Sequence, residues 1–232
     1  MSPVALITGS AGGIGQALVT RFGAEGWQVA AATHRGGELA ADLADPDQVG
    51  RLVERVLDRF GRLDSLIINH ARLAMAAVDE HDPVDWWRIV DTNLSGAFCL
   101  ARDAAPYLIA AEGSIVFIAS EWGVSGWPRA TAYAASKAGL IGLTRALARE
   151  LAPTVRVNAL APGAIDTPQM EVDARDAGVS IGEIRARYAR GAPLRRIGTP
   201  TEVAASVAFL VSSDAANYTG QVLHPNGGTT TP

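Results

Sequence analysis

A short apolar run, Val4 to Thr8, ends on Gly9-Ser10-Ala11-Gly12-Gly13-Ile14-Gly15, and Ile14, Ala17, Leu18, Arg21 and Phe22 then follow a helical period. Strand, glycine turn and helix in that order constrain this chain more than any other feature. Glycines permit a tight turn and a close backbone approach, so unpaired N–H groups and the positive end of the helix are left to hold a pyrophosphate. Taken alone, the run could also be a plain tight turn.

Beyond the turn, the alternation of strand and helix repeats. Gln28 to Thr33 reads as a second strand, Leu39 to Leu43 as a weak third, and 64–69, 114–119, 154–160 and 220–224 as further strands. Helical patterns fall between them at Asp47 to Phe60, 84–110, 131–151 and 200–212, and Asp45-Pro46 suits the start of the first of these as N-cap and first-turn proline. Runs such as Leu66-Ile67-Ile68 and Ile115-Val116-Phe117-Ile118 are apolar on both faces, as a parallel sheet covered by helices requires. The expected fold is α/β, a Rossmann-type doubly wound parallel sheet of about seven strands with helices on both faces.

With 232 residues, one large domain or two small ones would satisfy the length. No repeat, charge tract or Ser/Pro linker divides the chain, so a single domain over 1–232 is expected. The stretch from Pro162 to about Gly191 reads as long, irregular and charged, a mobile substrate flap at 162–191. Glycine and proline, 24 and 12 residues, make up about 16% of the chain, below the roughly 25–30% of low-complexity sequences. A net charge of −4 argues against binding nucleic acid through its phosphates. The apolar stretches are shorter than a membrane span needs, and the N-terminus lacks the basic flank of a secretory signal, so a cytoplasmic protein with no membrane partner is expected. Cys99 is the only cysteine, which excludes an internal disulfide and a cysteine-based zinc site.

In an open parallel sheet, ligands bind beyond the carboxyl ends of the strands, where the strand order reverses. Thr8 and the glycines, Thr33-His34-Arg35, Asp42, Asn69-His70, Ser120-Glu121 and Pro162-Gly163 all fall at such ends. Tyr133 and Lys137 stand four residues apart, on one face of a helix, and Ser120 precedes Tyr133 by 13 residues at a strand end. A phenol near pKa 10 is a poor acid-base catalyst at neutral pH, and an adjacent ammonium supplies part of the stabilisation its phenolate needs. By itself the Tyr-Lys pair could equally be a solvated helix face.

Together these motifs resemble the short-chain dehydrogenase/reductase family over essentially the whole chain. The glycine turn matches that family's Thr-Gly-x-x-x-Gly-x-Gly, Tyr133-x-x-x-Lys137 with Ser120 matches its active-site spacing, and Asn93 matches its fourth catalytic position. The resemblance implies that Tyr133 donates a proton to a carbonyl or accepts one from an alcohol. Lys137 would lower its pKa and bind the nicotinamide ribose, Ser120 would orient the carbonyl oxygen, and Asn93 would help hold a water of the proton relay. It also implies cofactor contacts from Gly9, Ser10, Gly13, Ile14 and Gly15, from His34 and Arg35, from Asp42 and Leu43 at the adenine, and from Asn69, Tyr133, Lys137, Pro162, Gly163, Ile165 and Thr167. Asn217-Tyr218-Thr219-Gly220-Gln221 resembles the family's C-terminal assembly segment.

Departures bear on cofactor and substrate. Thr33-His34-Arg35 holds no acid for the ribose of NAD but two potential cations, and the short link to Asp42 resembles NADPH-dependent β-ketoacyl carrier-protein reductases. NADP(H) is therefore favoured over NAD(H), although Gly12 stands where many NADP-preferring members carry a basic residue. Only a Gly-rich stretch from His34 to Glu38 separates the second and third strands, too short for the usual crossover helix. Where the family usually reads Asn-Asn-Ala-Gly, this chain has Asn69-His70-Ala71; His70 reads as part of the cofactor wall, and no metal is expected. Trp122 and Trp127 either line an apolar pocket or pack their loop, and Glu121 is either a solvated carboxylate or a contact for a cationic or hydroxyl-rich substrate.

The expected activity is hydride transfer between a nicotinamide cofactor and a ketone or secondary alcohol, such as a β-ketoacyl thioester carried on an acyl carrier protein or coenzyme A. The alternatives are an NAD-dependent sugar, polyol or secondary-metabolite dehydrogenase, and a non-catalytic cofactor-binding regulator. Small residues along 131–151 suit close helix packing, and the family leads one to expect a homotetramer or homodimer.

Overall fold

The computed structural model describes residues 2–230. In chain order its elements are β1 (Val4–Ile7), α1 (Gly13–Ala24), β2 (Gln28–Ala31), α2 (Pro46–Phe60), β3 (Ser65–Ile68), α3 (Pro83–Val90), α4 (Gly96–Ala110), β4 (Ser114–Ile118), α5 (Trp122–Ser125), α6 (Thr131–Glu150), β5 (Arg156–Leu160), α7 (Gln169–Asp176), α8 (Ile181–Gly191), α9 (Pro200–Val211) and β6 (Val222–Leu223). The strands form one parallel sheet in the order β2-β1-β3-β4-β5-β6, with Leu66, Ile115 and Val157 in register across its centre. The chain steps outward from β1 to β2 and then crosses back to β3, so strand order reverses between β1 and β3.

Alternate residues of the same strands feed two cores. Leu6, Leu66, Ile115, Phe117 and Val157 face α2, α4 and α6, whereas Ala5, Ile7, Ile67, Val116 and Leu160 face α1 and α9. Burial on both faces explains the unbroken apolar runs of these strands. Local signals set the helix ends. The Asp45 carboxylate accepts from the N–H groups of Asp47 and Gln48 ahead of α2, and Gly61 closes that helix in the left-handed region at φ 74°.

Three expectations need correction. Among the described residues the sheet has six strands rather than seven, because Leu39 to Leu43 makes only an isolated bridge, Thr33 to Ala40. The helix expected over 84–110 is two helices joined by a π-helical stretch, Asp91–Ser95. The supposedly irregular flap at 162–191 contains α7 and α8, which pack on each other through Met170, Ala174 and Ile184. No helix among the described residues is long and apolar enough to cross a membrane.

Candidate active site

The glycine turn closes on itself at the reversal point. Gly9 has a φ of 62°, and a Cβ there would meet the His70 Cα at 2.9 Å; a Cβ on Gly15 would overlap the Gly9 carbonyl oxygen. The Ser10 hydroxyl donates to the Ala32 carbonyl at 2.9 Å, and the Asn69 amide donates to the carbonyls of Thr8 and Gly9 at 3.2 and 3.1 Å. These bonds tie the turn to the ends of β2 and β3. Side chains cap α2, α3, α8 and α9, but α1 begins at Gly12 without one. Its first N–H groups are therefore available to an anion, and the turn fits the diphosphate of a dinucleotide. Gly13 faces Thr167, whose Cγ2 would lie 3.0 Å from an added Cβ, so the chain beyond β5 comes down close over the turn.

Tyr133 and Lys137 project from successive turns of α6 towards Ser120, just past β4. Lys137 is 2% exposed, its Nζ donates to the Ile118 carbonyl at 2.6 Å, and it lies 5.5 Å from the Tyr133 ring centre. Burial pushes the Lys137 ammonium down to about 7 and the Tyr133 phenol up to about 12, the Ser120 hydroxyl opposing the latter shift. The Ser120 oxygen accepts from the Trp122 N–H at 3.2 Å, which fixes its side chain at the strand end.

Asn93 lies in the π-helical stretch, and both atoms of its amide are hydrogen-bonded. Its Oδ1 accepts from the Arg72 N–H at 2.7 Å, while its Nδ2 donates to the Arg72 carbonyl at 2.9 Å and to the Ser136 hydroxyl at 3.0 Å. Ser136 in turn donates to the Tyr133 carbonyl at 2.8 Å. Asn93 thus joins the chain beyond β3 to the helix that carries Tyr133. Sequence reasoning missed Ser136, although it stands directly before Lys137 within the motif.

Two cavities open at the carboxyl edge of the sheet. The first, about 250 Å³, is lined by Ile14, Asn69, Ser120, Tyr133, Lys137, Pro162, Gly163, Ile165 and Thr167, with Glu121, Trp122, Asp173 and Tyr188 also on its wall. The second, about 360 Å³, is lined by Gly9, His34, Asp42 and Leu43 together with His70, Arg72 and Arg88. Asp42 turns one carboxylate oxygen onto the Ala44 N–H at 3.0 Å, and Asp45 rather than Asp42 caps α2. Arg35 is exposed and lines neither cavity, whereas Arg72 and Arg88, which the sequence did not single out, line the second. Trp127 is also outside the first cavity's lining; it is 42% exposed and stacks on Trp122 with ring centres 5.0 Å apart.

A family model described as enoyl-(acyl carrier protein) reductase matches residues 9–230. A 3-oxoacyl-[acyl-carrier-protein] reductase of Thermotoga maritima is 37% identical, over 97% of this chain and 96% of the relative. The chain belongs to the short-chain dehydrogenase/reductase family. Among solved structures of similar shape, ligand-free aldohexose dehydrogenase of Thermoplasma acidophilum superposes with a TM-score of 0.94 at 32% identity, covering 100% of this chain and 97% of that one. A variant of actinorhodin polyketide ketoreductase with NADPH does so at 0.91 and 35%, covering 98% and 97%. As a short-chain dehydrogenase/reductase, this protein is a nicotinamide-dependent oxidoreductase acting between ketones and alcohols.

Proposed function

We propose that the protein is an NADP(H)-dependent carbonyl reductase acting on a ketone of the β-ketoacyl thioester type, carried on an acyl carrier protein or coenzyme A. The observation that carries this reading is that Tyr133, Lys137 and Ser120 share a cavity wall with Ile14 of the glycine turn and with Thr167. A bound nicotinamide would supply the hydride. Gly9, Ser10, Gly13, Ile14 and Gly15 would hold the diphosphate, and His34, Arg35, Asp42 and Leu43 the adenosine end. Asn69, Pro162, Gly163, Ile165 and Thr167 would hold the nicotinamide end.

The remaining work falls to side chains of this chain. Ser120 donates a hydrogen bond to the substrate oxygen, and the Tyr133 hydroxyl delivers its proton to that oxygen, or takes one back from an alcohol. Lowering a phenol from about 12 to neutrality takes about 7 kcal/mol of differential stabilisation, of which a protonated Lys137 beside it would supply part. Asn93 would help hold a relay water, its two side-chain donors being already spent on Arg72 and Ser136.

His34, Arg72 and Arg88 around the second cavity support a preference for the extra phosphate of NADP(H), in keeping with the NADPH named for the ketoreductase neighbour. From Ile181 to Arg196 the chain carries Arg185, Arg187, Arg190, Arg195 and Arg196 and one acid, Glu183, with Arg185 and Arg196 ion-paired to Asp166 and Glu202. That arginine-rich stretch suits an acidic carrier, as does the name of the Thermotoga relative. A second reading, an NAD-dependent sugar or polyol dehydrogenase, is favoured by the two carboxylates on the first cavity's wall and by the aldohexose dehydrogenase neighbour. Exposed Phe98, Tyr107 and Ile109 on α4 support assembly as a homodimer or homotetramer, and a cytoplasmic setting fits a reductase that draws on free cofactor.

The test is an activity screen of the purified protein with NADPH and NADH against acetoacetyl thioesters, simple ketones and polyols, alongside Tyr133→Phe. Turnover that falls at least a hundredfold in the variant supports the reading. Tight cofactor binding with no turnover of any compound overturns it in favour of a cofactor-binding regulator.

A further inference from the structure

The first cavity changes character beyond Ser120 and Tyr133. Glu121 follows Ser120 directly, and its carboxylate is half-buried, tucked against Gly163 and hydrogen-bonded by the Thr229 hydroxyl from the C-terminal segment. From α7, and on the same cavity wall, Asp173 accepts from the Gln169 amide at 3.0 Å and from the Tyr188 hydroxyl at 3.3 Å. Both carboxylates line the cavity and act on the same Tyr188 phenol. Among the described residues of that wall, Lys137 is the one base, and it is turned to the Ile118 carbonyl beside Tyr133. Arg187 acts on Tyr188 from outside the lining.

A carboxylate offers about four acceptor positions, and here hydrogen-bond donors among the described residues fill only one on Glu121 and two on Asp173. Two acids facing a partly desolvated cavity repel a third and leave acceptors in need of donors. The C-terminal segment holds Glu121 in this position: Asn226 packs against Gly163, and its amide donates to Thr230, next to Thr229.

We propose that Glu121 and Asp173 determine specificity by receiving a hydroxyl group that the substrate carries beyond its reacting carbonyl, and by turning away substrates with a carboxylate there. This rests on the reading of the site as a carbonyl reductase and adds the chemistry of the substrate's far end. The surface around α8 is rich in arginine while the interior is acidic, so the attachment of a carrier and the choice of its cargo are separate recognitions.

The experiment compares kcat/KM of the full chain with NADPH for three matched ketones: pentan-2-one, 5-hydroxypentan-2-one and 4-oxopentanoate. The hydroxylated ketone is expected to exceed the parent by about tenfold, and the carboxylated one to fall below it by about tenfold. Glu121→Gln and Asp173→Asn should each draw the three values together. Ratios between substrates are the readout, so a general loss of folded enzyme lowers all three equally and leaves them unchanged. Equal turnover of the three, or turnover of acetoacetyl-coenzyme A with none of the three, overturns the inference and leaves the reductase intact. Failure of every ketone, the thioester included, overturns the reductase reading and this inference with it.

Discussion

His70 Nε2 lies 3.0 Å from the Thr92 carbonyl, so this ring nitrogen carries the proton and Nδ1, 2.8 Å from the Thr8 hydroxyl, accepts. The imidazole is 8% exposed and spans from the end of β1 to the π-helical stretch one residue before Asn93. It supports the glycine turn and the Asn93 segment at once.

That bridge should be read in acid titration. Burial, with the nearby Lys137 ammonium, pushes His70 down to about 4 from an unfolded value near 6.5. The unfolded chain therefore binds a proton that the folded one refuses. The contribution of a neutral His70 is complete above pH 6.5 and is lost as pH falls from 6.5 towards 4, by about 3 kcal/mol. Urea midpoints of wild type and His70→Asn should converge across that window. Lys137, shifted to about 7 from 10.5, titrates above it and drops out of the comparison. Parallel profiles would show that His70 is charged in the fold or contributes nothing.

Gly96 gives a steric prediction. Its position at the start of α4 presses on the Leu43 carbonyl, and an added Cβ would overlap that oxygen. Backbone on both sides cannot yield as a side-chain tip would, so Gly96→Ala should cost about 3 kcal/mol or more in urea unfolding. Gly50, in α2, would place its Cβ an ordinary 3.7 Å from Asp103. Gly50→Ala should instead stabilise the fold by about 0.5–1 kcal/mol. Equal effects at the two positions would deny the close crossing of α4 over Leu43.

Local chemistry made much of this fold legible. The glycine turn, Asp45-Pro46 and the doubly apolar strands each carry their own physical cause within a few residues. Leu39 to Leu43 misled because Leu39, Ala41 and Leu43 alternate in burial as a strand would, at 7%, 3% and 9% exposed. The alternation reports one buried side only; the neighbouring carbonyls of Glu38 and Ala40 go to the Arg55 guanidinium, both at 2.9 Å, and not to a ladder. In the flap, few apolar residues mark the period of α7 and α8, yet Ser180 and Glu183 form a capping box that the sequence displayed. The cations Arg72 and Arg88 reach the second cavity through the turn of the chain beyond β3, which no spacing announces.

Cofactor preference should turn on the end of β2. Arg35 stands exposed beside His34, which lines the second cavity. A flexible guanidinium at that rim can reach a ribose phosphate without being part of the wall. Arg35→Ala should raise the Kd for NADPH about tenfold, about 1.4 kcal/mol, and that for NADH less than twofold. Fluorescence titration with both cofactors measures this, and equal weakening of the two would assign phosphate recognition elsewhere.

The Asp166–Arg185 pair offers a last and separable prediction. Arg185 on α8 places Nε and Nη2 at 3.0 and 2.7 Å from one oxygen of Asp166, which lies between Ile165 and Thr167 on the chain leaving β5. Asp166 is held in turn by its N–H donating to the Gly198 carbonyl at 2.9 Å. Both side chains are more than a third exposed, so solvent screens the pair and its removal should cost less than about 1 kcal/mol of stability. Its geometric effect is larger than its energy. Tyr188 stands on the same helix one turn further, facing Trp127 at 6.3 Å and lining the first cavity with Asp173. Without the tether, α8 is held by Ile184 against Met170 and Ala174. Arg185→Ala should therefore raise KM for the ketone severalfold while kcat stays within about twofold and the urea midpoint barely moves. A change in kcat with KM unaltered would place the influence of Arg185 on the chemistry of Tyr133 instead of on the wall that receives the substrate.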